Sequence, residues 1–287
     1  MESSSAKYKQ FEQILRSAPM ANDKEKAYVD HALPRGWATL CWLPEGTGKE
    51  RLLDVGSYHG LYGPAYRDIW NYAEVDLLGY EEEDGQVLER MGLNGRPFQM
   101  RMCKGNIELE RFPYDDGTFD VVVFMEVVEH MIFDPVFVMN EINRVLKPGG
   151  LVLFAVPNAT SDSCLCFLVN GSQPGFLRQY ISDALKSGER NLYTVYNLGH
   201  FHEYTRAEVE ALVRSTGFRV ENMGGISPRA PFLDGFRFKL LRGFVRALFP
   251  RSRRIREDTI VAVLRKERYQ PLDQLAERYP RPLYRDL

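Results

Sequence analysis

The stretch FDVVVFMEVVEH, residues 119–130, decides the fold class of this chain. It opens with a continuous, valine-rich apolar run, which is typical of a central strand covered on both faces. An Asp-Pro pair at 134–135 predicts the start of a helix, and Lys-Pro-Gly-Gly at 147–150 ends it. The run LVLFAV at 151–156 predicts the next strand. A strand, a helix and a second strand in this order indicate a parallel sheet with crossover helices.

The same alternation extends in both directions along the chain. Strands are predicted at 51–55, within 75–81, near 98–103, near 218–223 and at 259–264, and helices over about 61–70, over 85–91 and from the capping-box sequence at 205–208 to 217. We therefore predict a doubly wound, Rossmann-like α/β fold, in which a mostly parallel seven-stranded sheet carries helices on both faces.

The bulk composition limits location and partners. The net charge of -2 gives the whole chain no attraction for nucleic acid or an anionic membrane. No apolar run approaches the ~20 residues that span a bilayer, and the amino terminus lacks the apolar core of a signal peptide. The four cysteines include no CxxC pair, which favours reduced thiols. We expect a cytoplasmic protein with no transmembrane segment.

One elaborated domain is the natural organisation for a chain of this length. Its predicted parts are an N-terminal helical segment (1–50), a cofactor-binding core (51–157), an insertion that covers the substrate (158–200), the C-terminal part of the core sheet (201–266) and a tail (267–287).

Residues 236–256 form a basic segment with no acidic residue. On a predicted helix Lys239, Arg242 and Arg246 share one face, and apolar residues share another. Two interpretations stay open. The segment is either a solvated helix and loop, or a surface that grips the phosphates of RNA or of a nucleotide- or lipid-linked sugar, which includes peripheral membrane contact.

The loops that follow the first strands are where an open α/β sheet binds ligands. After the first strand comes Asp-Val-Gly-Ser-Tyr-His-Gly, residues 54–60, where glycines let the backbone turn and approach a ligand closely. After the second strand comes Glu81, whose carboxylate can accept hydrogen bonds from both hydroxyls of a ribose. The alternative is that residues 81–84 form a solvated acidic turn.

Several segments together resemble class I S-adenosylmethionine (SAM)-dependent methyltransferases. They are LLDVGSYHG, LGYE, GNIELERFPYDDGTFDVVVF, EVVEH, RVLKPGG and VPN, between residues 51 and 158, followed by GHFHEYTRAEVEALVRSTGF at 199–218. Their order and spacing match that family and differ from nicotinamide dehydrogenases. The resemblance implies the predicted fold and SAM as the cofactor.

The resemblance also implies roles for individual residues. Asp54, Gly56, Ser57 and Gly60 would line the methionine end of SAM, and Glu81 would hold its ribose. The adenine would contact Asn106 and the Ile107 amide. Glu126 and Val127 would border the sulfonium. Two positions depart from the family. Asn106 stands where an aspartate is usual, and Tyr58 stands where a middle glycine is common.

Candidate catalytic residues follow the fourth strand and precede the capped helix. His130, His200, Glu129 and His202 are candidates for a general base, since a histidine titrates near neutral pH. Glu126, Glu129, His130 and His200 also resemble the metal-binding set of small-RNA 2′-O-methyltransferases, which would hold Mg²⁺ or Mn²⁺. A purely structural role for His130, bracing its loop, is the alternative.

The resemblance extends to methyltransferases of polysaccharide and natural-product biosynthesis. It implies methyl transfer to a hydroxyl of a sugar-like small molecule, assisted by a base or a divalent metal. A metal-dependent RNA 2′-O-methyltransferase is the second hypothesis, and a non-catalytic partner subunit with the same fold is the third.

Overall fold

The structure, a computed structural model, describes residues 4–19, 23–57, 59–79, 85–169, 171, 200–227, 236–248 and 255–269. Two parts of the predicted plan fall largely outside these ranges: residues 172–199 of the insertion and residues 270–287 of the tail. The predicted sites at Tyr58 and Glu81 also lie outside the described residues.

A sheet of eight described strands forms the centre of the fold. The strands are β1 (Arg51–Val55), β2 (Glu74–Gly79), β3 (Val87–Met91), β4 (Pro97–Lys104), β5 (Phe119–Met125), β6 (Leu146–Pro157), β7 (Phe218–Ile226) and β8 (Thr259–Lys266). Their order across the sheet is β3-β4-β2-β1-β5-β6-β8-β7. The pairs from β4 to β6 are parallel, and the pairs at both edges are antiparallel. The predicted fold class is confirmed.

Helices cover both faces of this sheet. They are α1 (Ser4–Ser17), α2 (Asp23–Leu40), α3 (Gly63–Asp68), α4 (Pro135–Val145), α5 (Asp162–Val169), α6 (Arg206–Ser215) and α7 (Phe236–Leu248). Side chains of α1, α2 and α3 pack with one face of the central strands, and those of α4 and α6 pack with the other. Of the helices described, none is both long and apolar enough to cross a membrane.

The predicted helix starts agree with the structure because their capping side chains accept hydrogen bonds from amides of the first turn. The Asp134 carboxylate accepts hydrogen bonds from the amides of Val136 and Phe137 at the start of α4. At α6, Thr205 and Glu208 form both bonds of a capping box. Each cap satisfies amides that would otherwise have no partner in the first turn.

The predicted helix at 85–91 and the count of seven strands are wrong, since these residues form the edge strand β3. Exposed and half-buried side chains alternate along it, which is the period of a strand. Between β3 and β4, Asn94 and Gly95 take positive φ values of 57° and 68°. An Asn-Gly pair in this conformation is a strong hairpin signal, and it is the feature of the sequence that distinguishes β3 from a helix.

Candidate active site

The carboxyl ends of β1, β2 and β5 lie side by side at one edge of the sheet. Val55, the last residue of β1, is in register with Leu78 of β2 and Phe124 of β5. The next amide, that of Gly56, donates to the Leu78 carbonyl at 2.8 Å. The loops that follow these strands therefore meet at the edge where the sequence placed the cofactor.

Two glycines of the loop after β1 occupy positions that a side chain would not fit. Gly56 has a φ of +77°, and a Cβ there would lie 2.4 Å from Val127 Cγ2. Gly60 has a φ of +65°, and its Cβ would lie 2.7 Å from Leu77 Cδ1. Both backbone and space therefore demand glycine. Between them, the buried Ser57 hydroxyl has no hydrogen-bond partner.

Asp54 is buried at the carboxyl half of β1, with 4% of its surface exposed. The Tyr66 hydroxyl donates a hydrogen bond to its carboxylate at 3.0 Å. Burial nevertheless raises the pKa of Asp54 to about 7, because desolvation disfavours the charged form more than Tyr66 stabilises it. A cationic group brought beside Asp54 would reverse that balance.

Asn106 begins the turn after β4, at the same edge. Its side-chain oxygen accepts a hydrogen bond from the backbone amide of Glu108 at 3.1 Å, and the backbone amide of Asn106 donates to the Glu110 carboxylate. Ile107 packs on the apolar core beneath the loop. The Asn106 oxygen thus already holds its own turn, and only its second lone pair is left for the predicted adenine contact.

Glu126 follows β5 with a positive φ of 57°, which is unusual for a residue with a side chain. One carboxylate oxygen accepts a hydrogen bond from Arg35 Nη1 at 2.8 Å, and the other is buried without a partner. The negative charge of Glu126 raises the pKa of Arg35, so the guanidinium stays charged. Arg35 lies on α2, and no sequence motif marks it as a site residue.

Glu129, His130 and His200 come together next to this pair. Their potential ligand atoms all lie within 4.8 Å of one another. The two imidazole rings meet edge to face with their centroids 4.8 Å apart, and His130 Nε2 lies 3.9 Å from Glu129 Oε1. His200 Nδ1 in turn lies 2.7 Å from Glu203 Oε1. We call Glu129, His130, His200 and Glu203 the Glu/His cluster.

Backbone hydrogen bonds fix the two halves of this cluster against each other. Glu129 and His130 stand in a single 3₁₀ turn after β5. The Glu129 carbonyl accepts a hydrogen bond from the Phe201 amide at 2.7 Å, and the Tyr204 carbonyl accepts one from the Ala159 amide at 2.9 Å. Residues far apart in the chain are therefore held together by main-chain contacts and not only by their side chains.

The Glu129 carboxyl group is the most unusual member of the Glu/His cluster. It has no exposed surface, and neither oxygen has a hydrogen-bond partner. Burial, and then the charge of Glu126, raise its pKa well above the ordinary range. One oxygen of Glu203 is also buried and unpartnered. Buried acceptors without donors are costly, and a bound cation would satisfy them.

The structure brings together only some of the predicted metal ligands and catalytic residues. Of the four predicted metal ligands, Glu129, His130 and His200 meet, whereas the structure pairs the Glu126 carboxylate with Arg35. His202 lies outside the Glu/His cluster. Its side chain is 53% exposed and its Nε2 is 3.4 Å from Glu208 of α6. The geometry therefore favours His130 and His200 over His202 as the catalytic candidates.

Comparison with known proteins identifies the family. Residues 18–222 match the model of a family described as a methyltransferase domain. The matched region begins in the N-terminal helices and includes the sheet edge and the Glu/His cluster. The chain belongs to this methyltransferase family. The resemblance to class I SAM-dependent methyltransferases is thereby confirmed.

Named relatives of this methyltransferase include ubiquinone biosynthesis O-methyltransferases. The protein from Thiobacillus denitrificans is 30% identical over 185 residues, which cover 62% of this chain and 68% of the relative. That from Acinetobacter baumannii (strain AYE) is 25% identical over 197 residues, which cover 65% and 72%. The likeness therefore extends well beyond the motifs of the glycine loop.

Solved structures agree on the fold. A chain in the complex of the Haloferax volcanii Trm112 methyltransferase activator with a methyltransferase superposes with a TM-score of 0.53 at 17% identity. The match covers 90% of this chain and 98% of that one. At this level of identity the comparison supports the architecture of the methyltransferase alone.

The described residues of the methyltransferase fit SAM at the glycine loop. The unpartnered Ser57 hydroxyl offers a hydrogen bond, and the buried Asp54 offers a carboxylate for the ammonium group of the cofactor. Gly56 and Gly60 leave the loop backbone open to close approach. These four residues are the ones that the sequence analysis assigned to the methionine end.

Proposed function

We propose that the chain transfers a methyl group from SAM to a hydroxyl oxygen of a small molecule, sugar-like or a natural product. The observation that carries the proposal is the Glu/His cluster beside the glycine loop. It joins an oriented imidazole, His200 held by Glu203 at 2.7 Å, to a fully buried carboxyl group, Glu129. The names of the O-methyltransferase relatives support an oxygen acceptor.

The protein has two tasks in such a reaction. SAM supplies an electrophilic methyl group, so the chain must position the acceptor in line with it and remove the hydroxyl proton. Gly56 and Ser57 would hold the cofactor. Val127, whose side chain packs close to the Gly56 backbone, would border the reactive end of the cofactor. The hydroxyl proton then has to pass to a base near the acceptor.

His200 is the best-placed base among the described residues. Its Nδ1 faces Glu203, so in the neutral ring the carboxylate accepts the Nδ1 proton and Nε2 is the basic nitrogen. After proton transfer the same carboxylate stabilises the imidazolium. His130 lies edge to face with His200 and would restrict the direction from which an acceptor approaches.

A divalent metal in the same cluster is an alternative way to activate the acceptor hydroxyl. Glu129, His130 and His200 would be the ligands, and Glu203 would orient His200 from behind. When bound, such an ion lowers the pKa of a hydroxyl that it coordinates. Two imidazoles favour Mn²⁺ over Mg²⁺. The two oxygens of Glu129 without partners are the observation that favours this version.

The acceptor is proposed to be a small molecule and not RNA. Arg246, one of the basic residues predicted to grip phosphate, instead lies 2.6 Å from the Asp162 carboxylate. Arg251, Arg253 and Arg254 lie outside the described ranges. The hypothesis of a non-catalytic subunit is disfavoured by the orphaned Glu129, a buried acid that a purely structural protein would not need.

The test is methyl transfer with labelled SAM to a panel of hydroxylated small molecules, with mass spectrometry of the products. We expect a methyl ether, a loss of about 100-fold in kcat for H200Q, and a much smaller effect for the exposed H202Q. Products methylated at nitrogen or carbon, transfer only to RNA, or SAM binding without any transfer would each overturn the proposal. Repeating the assay with a chelator decides between the base and the metal versions.

A further inference from the structure

Helix α7 buries one apolar side and exposes another. Val245 is 1% exposed, and Arg246 ties the helix to the first turn of α5 through the Asp162 carboxylate. Leu240, Phe244 and Leu248 are 61%, 57% and 56% exposed. These three residues recur every four positions, so they lie along one stripe of the helix that points away from the protein.

The neighbouring helix enlarges this apolar surface. Helix α5 packs against α7 and carries in its last turn Leu168 and Val169, with 52% and 59% of their surfaces exposed. We call Leu168, Val169, Leu240, Phe244 and Leu248 the α5–α7 surface. Single exposed apolar residues are ordinary, but five on two packed helices mark a surface that meets an apolar partner.

The segment that contains α7 is basic, and Lys239 and Arg242 stand on the helix itself. Residues 236–256 contain eight Lys or Arg residues and no Asp or Glu, although the whole chain has a net charge of -2. Lys239 is exposed on α7 beside the stripe. The partner should therefore combine an apolar interior with an anionic surface.

We propose that the α5–α7 surface docks on an anionic lipid bilayer, with Leu240, Phe244 and Leu248 entering the headgroup region. A helix with an apolar stripe and basic flanks lies in the plane of such an interface. RNA matches the positive charge but not the stripe, since leucine side chains gain nothing from phosphates. The proposal goes beyond the methyl-transfer reaction and does not depend on which acceptor is methylated.

The test is flotation of the full chain with vesicles of neutral phosphatidylcholine, and of phosphatidylcholine mixed with phosphatidylglycerol. We expect binding to the mixed vesicles, weakening at high salt, and little binding to neutral ones. The variant L240E/F244E should lose at least 10-fold in vesicle affinity. The control is L109E, because Leu109 is a leucine with the same 61% exposure on a different loop.

The outcomes separate clearly. Equal binding of L240E/F244E and the unaltered chain, or no binding of the unaltered chain to either vesicle, overturns the proposal. So does a dimer in solution that L240E/F244E dissociates while vesicle binding is absent, or binding of single-stranded RNA that needs Leu240 and Phe244. SAM affinity, measured on the same variants, should not change, which also shows that they are folded.

Discussion

The guanidinium of Arg35 lies 2.8 Å from the Glu126 carboxylate and joins the N-terminal helix α2 to the end of β5. Glu126 takes a left-handed backbone conformation at this point. Such a conformation is strained for a residue with a side chain and persists only where the surroundings hold it. The pair therefore makes a helix outside the central sheet part of the candidate active site.

Removing the positive charge of Arg35 should destabilise the fold. R35Q leaves Glu126 mostly buried without a counter-charge, and we expect the free energy of unfolding to fall by about 2 kcal/mol. R35Q/E126Q should lose less than the sum of the single variants. Urea denaturation of the four proteins measures this coupling. Additive effects would contradict the pairing. R16Q, which removes the exposed ion pairs of Arg16 with Glu12 and Asp30, serves as the control and should change the free energy of unfolding much less than R35Q.

Alanine at Gly56 should be more damaging than alanine at Gly149. The two glycines have nearly equal φ values, +77° and +75°, so both variants incur backbone strain of about 1 kcal/mol. Only at Gly56 does the new Cβ meet a neighbour, Val127, whereas nothing lies within 4 Å at Gly149. We expect G56A to lose about 2 kcal/mol more than G149A, and also to lose SAM affinity. V127A should recover part of the stability of G56A, and no recovery would locate the cause elsewhere.

The stability of the cofactor-free protein should decline as pH rises from 5 to 8. The folded protein holds the Asp54 proton with a pKa of about 7, above the value of ~4 expected in the unfolded chain. The folded state therefore binds the extra proton, and its stabilisation is complete below about pH 4 and lost through pH 7. D54N removes this contribution. We expect thermal denaturation to show that the free energy of unfolding falls by about 2 kcal/mol more between pH 5 and pH 8 in the unaltered protein than in D54N. Equal declines in the two proteins would show that Asp54 is not the cause.

Manganese should bind at the Glu/His cluster if the metal version of the mechanism holds. Calorimetry of the SAM-free protein with Mn²⁺ should show one site, weakened by 10-fold or more in E129Q because the only carboxylate ligand is lost. H202Q changes an exposed histidine outside the cluster and is the matched control. Equal Mn²⁺ affinity in E129Q and the unaltered protein would exclude the metal version of the mechanism and leave His200 as a simple base.

The sequence predicted the core strands well because their pattern is local. The valine-rich run of β5 and the short apolar run of β1 each predict a buried strand. The edge strand β3 was missed because apolar and polar residues do not alternate clearly in its sequence, since the apolar Val87 and Met91 lie on its exposed side. The Asn94-Gly95 turn was the stronger signal.

Sequence motifs predicted some of the contacts in the candidate active site, but not those that only the tertiary fold creates. His130 and His200 were expected together, and the structure shows them in ring contact. Arg35 is separated from Glu126 by 91 positions, and no local pattern joins them. The loss of Glu126 from the predicted ligand set has the same origin, since its partner comes from a helix that precedes every motif.

The packing of α1 and α2 also bears on how the chain folds as it is synthesised. Phe11, Leu15 and Leu33 are almost completely covered in the finished protein, within a cluster that includes Val121 and Leu153. Those later residues leave the ribosome roughly 5–30 s after α1, at ordinary rates of translation. During that interval α1 and α2 expose an apolar face that is not yet covered, and we expect chaperones to bind there.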